Sequence, residues 1–381
     1  MKHEVEKVRA PNIRDVAALA GVSYQTVSRV LNDSPSIRPA TRQRVLDVID
    51  QIGYRPNQAA RALSTSRSKA IGVLTLQNVH FGPQTMVNAI EVEARAAGYR
   101  LSIASTSRAD DDVRASVDLL SNQAVEAIIV IAPQRKFFAV LDELELRVPI
   151  VALDSSPRTN AHSLAVDQHA GARLATRHLI DLGHKHIVHV AGPQDWIEAD
   201  ERMQGFLYEM AEADLSVEPP ILGDLTADFG YLAGRELLRR RDFTAVFSAN
   251  DLMAVGLLHA FREAGVDVPR EVSVVGFDDS PTAPHLWPPL TTVRQDFALI
   301  GRRAVELVVA ELDGKPVEGR TLIAPELVVR GSTDRPWFLE EEVPRSCRAP
   351  VGRPREGPAT RGGPRHLTGT PAGISFAPVA V

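Results

Sequence analysis

Polar side chains able to read a nucleic acid lie on one face of a short segment near the start of the chain. Over residues 24–32 the apolar positions recur at helical spacing and face one way, which leaves the other face to polar groups. Gln25 can hydrogen-bond adenine through two atoms, Arg29 can do the same with guanine, and Tyr24 can contact bases or phosphate. Neighbouring hydroxyl and amide groups are of the kind that position a DNA backbone. The predicted DNA contacts on this segment are Tyr24, Gln25, Thr26, Ser28, Arg29 and Asn32.

The surrounding sequence predicts the helices that hold this segment. Asn12 can cap a first helix over residues 13–20, Gly21 breaks it, and Ser23 can cap the second helix. Pro39 suits the first turn of a third helix that ends at Gly53. A packed first helix, a tight turn and a polar-faced second helix are the requirements of a helix-turn-helix. We predict an all-α helix-turn-helix head over residues 1–56; the alternative is a small helical hairpin with an ordinary polar face.

From residue 71 onward, short apolar runs alternate with amphipathic segments. The runs over 71–76, 101–104, 127–131 and 150–153 suit buried parallel strands, and a second series follows them. This alternation, with about ten strands, predicts an α/β architecture with two doubly wound parallel sheets. In such sheets ligands bind beyond the carboxyl ends of strands, which is where the sequence places Asn250 with Asp251 and Asp278 with Asp279.

The charges of the 381-residue chain, net -5, are unevenly distributed. Residues 1–70 carry 12 Lys and Arg against 6 Asp and Glu, whereas residues 71–335 carry 25 against 38. A basic head on an acidic body predicts that only the head meets a polyanion. The single cysteine, Cys347, excludes an intramolecular disulfide, and neither a signal peptide nor a long apolar run is apparent. We therefore expect a cytoplasmic protein with no membrane partner.

The segment IRDVAALAGVSYQTVSRVLN, with SIRPATRQRVLDVIDQIGYRPNQAARAL after it, resembles the start of transcription regulators of the LacI/GalR family. Residues 24–29 are the same as in one member of the family, which implies that their side chains read the major groove at a similar half-site. The resemblance also implies that residues 57–70 form a hinge helix and linker, with Asn57 and Leu63 contacting DNA and Leu63 inserting into the minor groove. From the residues alone, Leu63 would be a linker residue packed on its own domain. The implied partner is double-stranded operator DNA with an inverted repeat, bound by a homodimer.

Four later segments are similar to the same family: RHLIDLGHKHIVHVAGP (177–193), FSANDLMAVGLLHAF (247–261), EVSVVGFDDSP (271–281) and PPLTTVRQDFALIG (288–301). They imply a periplasmic-binding-protein-like sensor domain over residues 71–335, with an effector held between two lobes. The expected boundaries are about 71–166 and 295–324 for lobe 1, about 167–294 and 325–335 for lobe 2, and a disordered tail rich in Pro, Gly and Arg over 336–381. By family position, the effector-binding residues are Arg202, Asn250, Asp278, Gln295 and Phe297, with Phe81 and Trp196 as further aromatic candidates.

The residue types alone leave other roles open for several of these positions. Arg202 would be a surface ion-pair residue on its helix, and Phe297 would belong to the core. Asp251 and Asp279 suit helix caps better than ligand contacts.

The implied effector is a small sugar, and the implied activity is that of a repressor. Arg135 and Leu225 depart from one sugar-binding member of the family, which has an acidic residue and an indole at these positions, so the same sugar is not expected. An effector that favours one arrangement of the lobes would change the affinity for DNA by shifting populations. Leu367 is the only leucine beyond residue 340, which excludes a leucine-heptad coil there and predicts a dimer rather than a tetramer.

Two other classes of protein compete with a regulator. An enzyme is disfavoured because the sequence contains no phosphate-binding loop, dinucleotide fingerprint or nucleophile elbow. His184 and His186, on one face of a predicted strand, leave a metal site conceivable, but no carboxylate or cysteine accompanies them at ligand spacing. A periplasmic sugar-binding component of a transporter would share the fold but not the DNA-binding head. We predict a regulator that is not an enzyme and needs no cofactor or metal.

Overall fold

The computed structural model describes residues 11–55, 67–77, 81–107, 109–132, 134–144, 146–154, 162–317 and 320–336. The predicted hinge helix, with Asn57 and Leu63, lies outside the described residues, as does the tail from residue 337. Along the described part of the chain, none of the helices combines the length and the apolar character needed to span a bilayer.

Three helices form the head: α1 (Ile13–Ala20), α2 (Tyr24–Leu31) and α3 (Pro39–Ile52). Asn12 caps α1 by accepting from the Arg14 and Asp15 amides, and Asp15 accepts in return from the Asn12 amide at 2.8 Å. Gly21 ends α1 at φ 65°, a left-handed conformation that glycine adopts without a Cβ clash. Apolar side chains from all three helices close the core of the head: Val16, Ala17, Ala20, Val27, Val30, Val45 and Val48, with Tyr54 after α3.

Strands and helices alternate through the rest of the chain. Their bounds are β1 (Ala70–Leu76), α4 (Phe81–Ala96), β2 (Arg100–Thr106), α5 (Asp110–Asn122), β3 (Ala127–Ile131), α6 (Arg135–Asp142), β4 (Ile150–Ala152), β5 (His162–Val166), α7 (Gln168–Asp181), β6 (Ile187–Ala191), α8 (Ile197–Glu212), β7 (Ile221–Leu222), α9 (Ala227–Arg240), β8 (Ala245–Ser248), α10 (Asp251–Glu263), β9 (Ser273–Asp278), β10 (Thr291–Arg294), α11 (Phe297–Leu312), β11 (Arg320–Ile323) and β12 (Glu326–Val328).

These elements build two lobes, each around a six-stranded sheet. The order in lobe 1 is β11-β5-β4-β3-β1-β2, and every pairing is parallel. The order in lobe 2 is β12-β10-β9-β8-β6-β7, and β12 is antiparallel to β10. The predicted pair of doubly wound sheets is thus present, with one antiparallel edge strand that the sequence did not reveal.

Each sheet is covered by helices on both faces, as parallel sheets require. In lobe 1, α4 and α11 bury Ile90 and Ile300 on one face, while α5 buries Leu120 on the other. In lobe 2, α7 and α8 bury one face around Phe206, while α9 and α10 bury the other around Phe261.

The chain crosses between the lobes three times. It passes from β5 to α7, returns from β10 to α11, and passes again from β11 to β12. The last strand of each sheet is therefore supplied by the final described stretch of the chain.

Candidate functional site

The exposed face of α2 carries three of the six DNA contacts predicted on this segment. Tyr24 is 56% exposed, and Gln25 and Arg29 are also exposed on the face opposite the buried Val27 and Val30. This helix therefore presents an aromatic ring, an amide and a guanidinium to the outside.

The other predicted contacts of this segment are placed differently. Thr26 and Ser28 are half-buried, and the Thr26 hydroxyl lies 3.0 Å from the Ser23 hydroxyl, which also caps α2 by accepting from the Thr26 amide at 3.1 Å. Asn32 is exposed. The sequence predicted that it belongs to the helix, but it follows the last helical residue, Leu31. Thr26 thus takes part in the start of the helix, and Asn32 marks its end.

An arginine of α3 fixes the turn after α2. Arg42 pairs with Asp33, which has a left-handed φ of 55°, and donates to the Ser34 carbonyl at 2.7 Å. The turn is thereby tied to α3, which holds α2 in place within the head.

A cavity that is partly open to solvent lies between the two lobes. Its lining comes from strand ends and the helices that follow them, the position expected for ligands in open α/β sheets. All seven residues predicted to bind an effector line it: Phe81, Trp196, Arg202, Asn250, Asp278, Gln295 and Phe297.

The polar side of the cavity is a ring of hydrogen bonds around Arg202. The Arg202 Nε donates to Gln168 Oε1 at 2.8 Å, and the Gln168 amide donates to Gln295 Oε1 at 2.8 Å. Gln295 Nε2 donates to Asp278 Oδ1 at 2.6 Å, and Asp278 returns to Arg202 with an O–N distance of 3.7 Å. Gln168, the first residue of α7, also lines the cavity and was not predicted from the sequence.

Arg202 is buried rather than on the surface. It is 7% exposed, its guanidinium lies 3.9 Å from the centre of the Phe277 ring, and it donates to the Ala249 carbonyl. Burial lowers the pKa of Arg202, and the carboxylates of Asp278 and Glu198 oppose that shift. The surface ion-pair alternative for Arg202 is therefore wrong.

Asp278 ends β9 inside the cavity. From the sequence, Asp278 was expected just beyond the carboxyl end of a strand, whereas β9 runs through Asp278 itself. Its φ of 114° is rare for a residue with a side chain, and such strain is concentrated at functional sites. Burial raises the pKa of Asp278 to about 6, although Arg202 and the hydrogen bond from Gln295 favour the charged form.

The prediction that Asp251 and Asp279 cap helices is wrong. Asn250 is the cap of α10, accepting from the Met253 amide at 2.9 Å. Asp251 instead accepts from the Thr292 hydroxyl at 2.6 Å and the Ser280 amide at 2.7 Å, so it joins α10 to the end of the sheet.

Asp279 has a different structural role outside the cavity lining. It pairs with Arg330 at 2.6 Å and with Arg294 at 2.7 Å. These ion pairs connect the loop after β9 to β10 and to the segment after β12.

The apolar side of the cavity comes mostly from lobe 1. Phe81 and Phe297 meet edge to face with ring centroids 5.8 Å apart. Phe297 is 6% exposed and packs with the lobe 1 core, as the residue type alone predicted, and it also lines the cavity. Trp196 and Leu225 complete the wall from lobe 2, and the Leu225 carbonyl accepts from Asn250 Nδ2 at 3.0 Å.

Glu198 is a further cavity residue that the sequence did not reveal. It lies in the first turn of α8, one helical turn before Arg202, and its Oε2 is buried without a hydrogen-bond partner within the described ranges. Burial raises the pKa of Glu198 to about 7; its own backbone N–H and Arg202 lower this pKa, while Asp154 and Glu201 raise it. The signal was its spacing, because residues four apart share one helix face.

The two lobes touch beside the cavity. Gln134 of lobe 1 forms an antiparallel bridge with Trp196 of lobe 2 and donates from Nε2 to Asp195 Oδ2 at 3.0 Å. Ile197, next to this bridge, packs into the core of lobe 1.

The two histidines considered as metal ligands point to different environments. His184 is 2% exposed and lies 2.9 Å from the Thr244 hydroxyl and 3.0 Å from the Ser273 hydroxyl, whereas His186 is exposed. Both precede β6, so the prediction that they share one face of a strand is wrong. Burial lowers the pKa of His184 to about 4, consistent with a neutral structural residue.

Two regions of the chain match known protein families. Residues 12–57 match the bacterial regulatory proteins of the lacI family, and residues 176–333 match the periplasmic binding protein-like domain. The first region contains α1 to α3, and the second contains most of lobe 2 together with the return through α11.

Similar curated proteins are transcription regulators. The HTH-type transcriptional regulator CelR of Thermobifida fusca is 36% identical over 342 residues, covering 86% of this chain and 100% of CelR. The HTH-type transcriptional repressor PurR of Mannheimia succiniciproducens is 33% identical over 335 residues, covering 85% of this chain and 98% of PurR.

Solved structures with the same fold include DNA-bound and sugar-bound proteins. The lac repressor dimer bound to operator and the anti-inducer ONPF matches with a TM-score of 0.79 at 33% identity, covering 86% of this chain and 100% of the repressor. The complex of the transcriptional regulator CelR with cellobiose matches with a TM-score of 0.64 at 33% identity, covering 84% of this chain and 99% of CelR.

Proposed function

The chain belongs to the lacI family of bacterial regulatory proteins, and from this premise we propose that it is a repressor whose affinity for operator DNA is set by a small sugar bound between its lobes. The observation that carries the proposal is the cavity, where a ring of polar side chains faces an aromatic wall. A sugar needs both, because its hydroxyls require directed hydrogen bonds and its C–H face requires apolar contact.

For DNA, we assign base reading to the exposed face of α2. Gln25 and Arg29 carry the groups that pair with adenine and guanine in the major groove, and Tyr24 stands beside them. Thr26, Ser28 and Asn32 remain proposed contacts, as do Asn57 and Leu63 in the segment that follows the head. One head reads one half-site, so an inverted repeat requires a homodimer, with twice the 41.5 kDa mass of one chain in light scattering.

For the effector, the contacts that we propose are those of the polar ring and the aromatic wall. Arg202, Asp278 and Gln295 hold one another in place, so they meet a ligand with little reordering. Asn250 lies beside this ring, and Phe81, Phe297 and Trp196 offer ring faces. The relative CelR, described in complex with cellobiose, makes a sugar the first ligand class to test.

The switch follows from the position of the cavity. A ligand that touches both lobes favours the arrangement in which both walls are within reach and changes the populations of the arrangements. If that arrangement alters the separation of the two heads in a dimer, DNA affinity changes by the differential binding energy of the ligand.

The relatives are named as transcription regulators, which supports a regulatory role without enzymatic activity for this chain. A regulator must reach chromosomal DNA, which supports a cytoplasmic location. We propose both for this chain.

Selection from a random duplex pool, followed by gel shifts, tests the DNA half of the proposal. We expect a consensus with an inverted repeat; retention of no duplex at low ionic strength would contradict it. Thermal-shift screening with mono- and disaccharides tests the effector half, because a ligand of the folded state raises Tm. Asp278→Asn should remove the response to the active sugar and leave operator binding intact.

A further inference from the structure

Glu198 places a buried carboxylate oxygen in the cavity for which the described residues supply no hydrogen-bond partner. Arg202, Gln168, Gln295 and Asp278 bond to one another, whereas the Oε2 atom of Glu198 is buried and unbonded within the part of the chain that the structure describes. A buried acceptor without a donor is unfavourable, and a donor supplied by a ligand removes that penalty. The unmatched acceptor therefore specifies a hydroxyl or N–H group on the ligand.

The charges around Glu198 compensate its carboxylate only in part, through Arg202. Among the described residues that line the cavity, Arg202 is the only cation, and its guanidinium already faces Asp278 and stacks on Phe277. Asp154 and Glu201 add negative charge near Glu198. A ligand that brought a phosphate or carboxylate would meet carboxylates without a free cation to pair with.

We propose that Glu198 is a specificity-determining residue that hydrogen-bonds a hydroxyl of an uncharged sugar and excludes anionic ligands such as sugar phosphates. The proposal rests on the sugar-binding function given above and narrows it to neutral ligands.

The electrostatics of the site agree with this assignment. Burial raises the pKa of the Glu198 carboxyl to about 7, so negative charge is poorly stabilised at this position. An anionic ligand would enter the same unfavourable field. A hydroxyl suits the carboxyl in both of its forms, since it can donate to a carboxylate and accept from a carboxylic acid.

The test measures calorimetric Kd values for neutral sugars paired with their 6-phosphates. The probes are glucose, galactose, lactose and cellobiose, each beside its 6-phosphate, with full-length protein at neutral pH. The variants are E198Q, which keeps an acceptor but removes the charge, and E198A, which removes both. E212Q, an exposed change on the same helix, is the control.

We expect the wild type to bind at least one neutral sugar and to bind its 6-phosphate at least about tenfold more weakly. E198A should bind the neutral sugar about tenfold more weakly than the wild type does, because a hydrogen bond to a charged group is lost. E198Q should bind the neutral sugar nearly as well as the wild type and should bind the 6-phosphate about tenfold more tightly than the wild type does. E212Q should change neither value.

Two results would overturn the inference while the proposed function stands. One is a neutral sugar whose Kd stays within twofold of wild type in both E198Q and E198A; the other is a 6-phosphate that the wild type binds as tightly as the neutral sugar. Binding of no sugar by the wild type, in a sample that still binds operator DNA, would remove the sugar-effector function and this inference together.

Discussion

Arg202 is a cation with almost no access to water, and four neighbours replace its hydration. Asp278 supplies opposite charge, Gln168 and the Ala249 carbonyl accept its N–H groups, and Phe277 lies under its plane. The planar fork of arginine satisfies all four at once, which the single ammonium of lysine cannot do. The guanidinium is therefore fixed before any ligand arrives.

Replacement of one residue, Arg29, tests whether α2 recognises bases. Arg29→Ala should weaken operator binding by about 1–3 kcal/mol and relax the preference at one base pair of each half-site, if its guanidinium meets guanine. Fluorescence anisotropy with the selected operator and its single-base variants measures both effects. Arg44→Ala removes an exposed arginine from α3 instead, and it should leave the base preference unchanged. An equal loss of affinity for every sequence in Arg29→Ala would show that Arg29 contacts phosphate only.

The ionisation of Glu198 predicts how stability depends on pH. Its pKa is raised by burial from 4.5 to about 7 in the folded protein, so its contribution to stability is present below about pH 4.5 and is lost as the pH rises through about 7. E198Q cannot ionise and avoids that loss. The difference in unfolding free energy between E198Q and wild type should thus grow by on the order of 2 kcal/mol from about pH 5 to about pH 8.

Urea unfolding of both proteins at the two pH values measures this difference. E212Q is the matched control, because Glu212 is exposed at the far end of the same helix. A constant difference between E198Q and wild type would mean that the Glu198 carboxyl titrates as in the unfolded chain.

The sequence predicted some of the cavity residues and missed others, and each omission has a physical reason. Family position placed Arg202, Asn250 and Asp278 among the effector-binding candidates, and the structure puts all three at the cavity. Glu198 was missed because the residues before Arg202 show no apolar periodicity that marks the start of α8, so the helix face that Glu198 shares with Arg202 was not apparent. Gln168 was missed because a glutamine at the start of an amphipathic helix looks like a solvent-facing residue until the crossing before it is known.

At the scale of elements, α9 and α10 pack through glycines. A Cβ on Gly230 would overlap the Met253 carbonyl, and one on Gly256 would overlap the Ala227 carbonyl and the Tyr231 amide. The two backbones are in direct contact, so neither helix has room for a side chain there.

Gly256→Ala should therefore destabilise the protein by about 3 kcal/mol, even though alanine favours helices more than glycine does, because the helices must separate. Denaturant unfolding measures the change. The control is Gly82→Ala in the first turn of α4, where a new Cβ would lie 3.5 Å from the Phe297 ring, an ordinary contact. Equal stability of Gly256→Ala and wild type would mean that α9 and α10 are not in close contact in solution.

Most elements follow from the sequence, and the exceptions are short or polar strands. The helices of the head and the long apolar strands were expected within a few residues of their observed bounds. β7 has only two residues, and β10 and β11 have four each, with Thr and Arg among them. None of the three strands therefore contains an apolar run long enough to predict it. β5 opens with His162 and Ser163, although four of its five residues are buried. These strands exist because neighbouring strands offer unpaired backbone groups, a tertiary cause that local patterns do not contain.

At the scale of the whole molecule, the bridge between Gln134 and Trp196 joins the lobes at the edge of the cavity. Gln134 does not line the cavity, yet its side chain bonds to Asp195 across the gap between lobes. Gln134→Ala should destabilise the arrangement in which both lobes contact the ligand by about 1 kcal/mol. The affinity for the sugar should therefore fall by about fivefold, and the operator sequence preference should not change.

Calorimetry with the active sugar and anisotropy with operator DNA measure these two quantities. Gln194→Ala, an exposed change in the adjoining turn, is the control and should leave both as in the wild type. If Gln134→Ala bound the sugar as tightly as the wild type, the bridge would have no part in closure.

The three passages of the chain between lobes make the sensor indivisible. Each sheet takes its last strand from beyond residue 319, so no uninterrupted piece of polypeptide contains a whole lobe. A protease that severed one passage would leave two others as tethers, and the nicked halves would stay together under native conditions. Production of one lobe by itself would therefore require a rearranged sequence in which the separate segments of that lobe are joined.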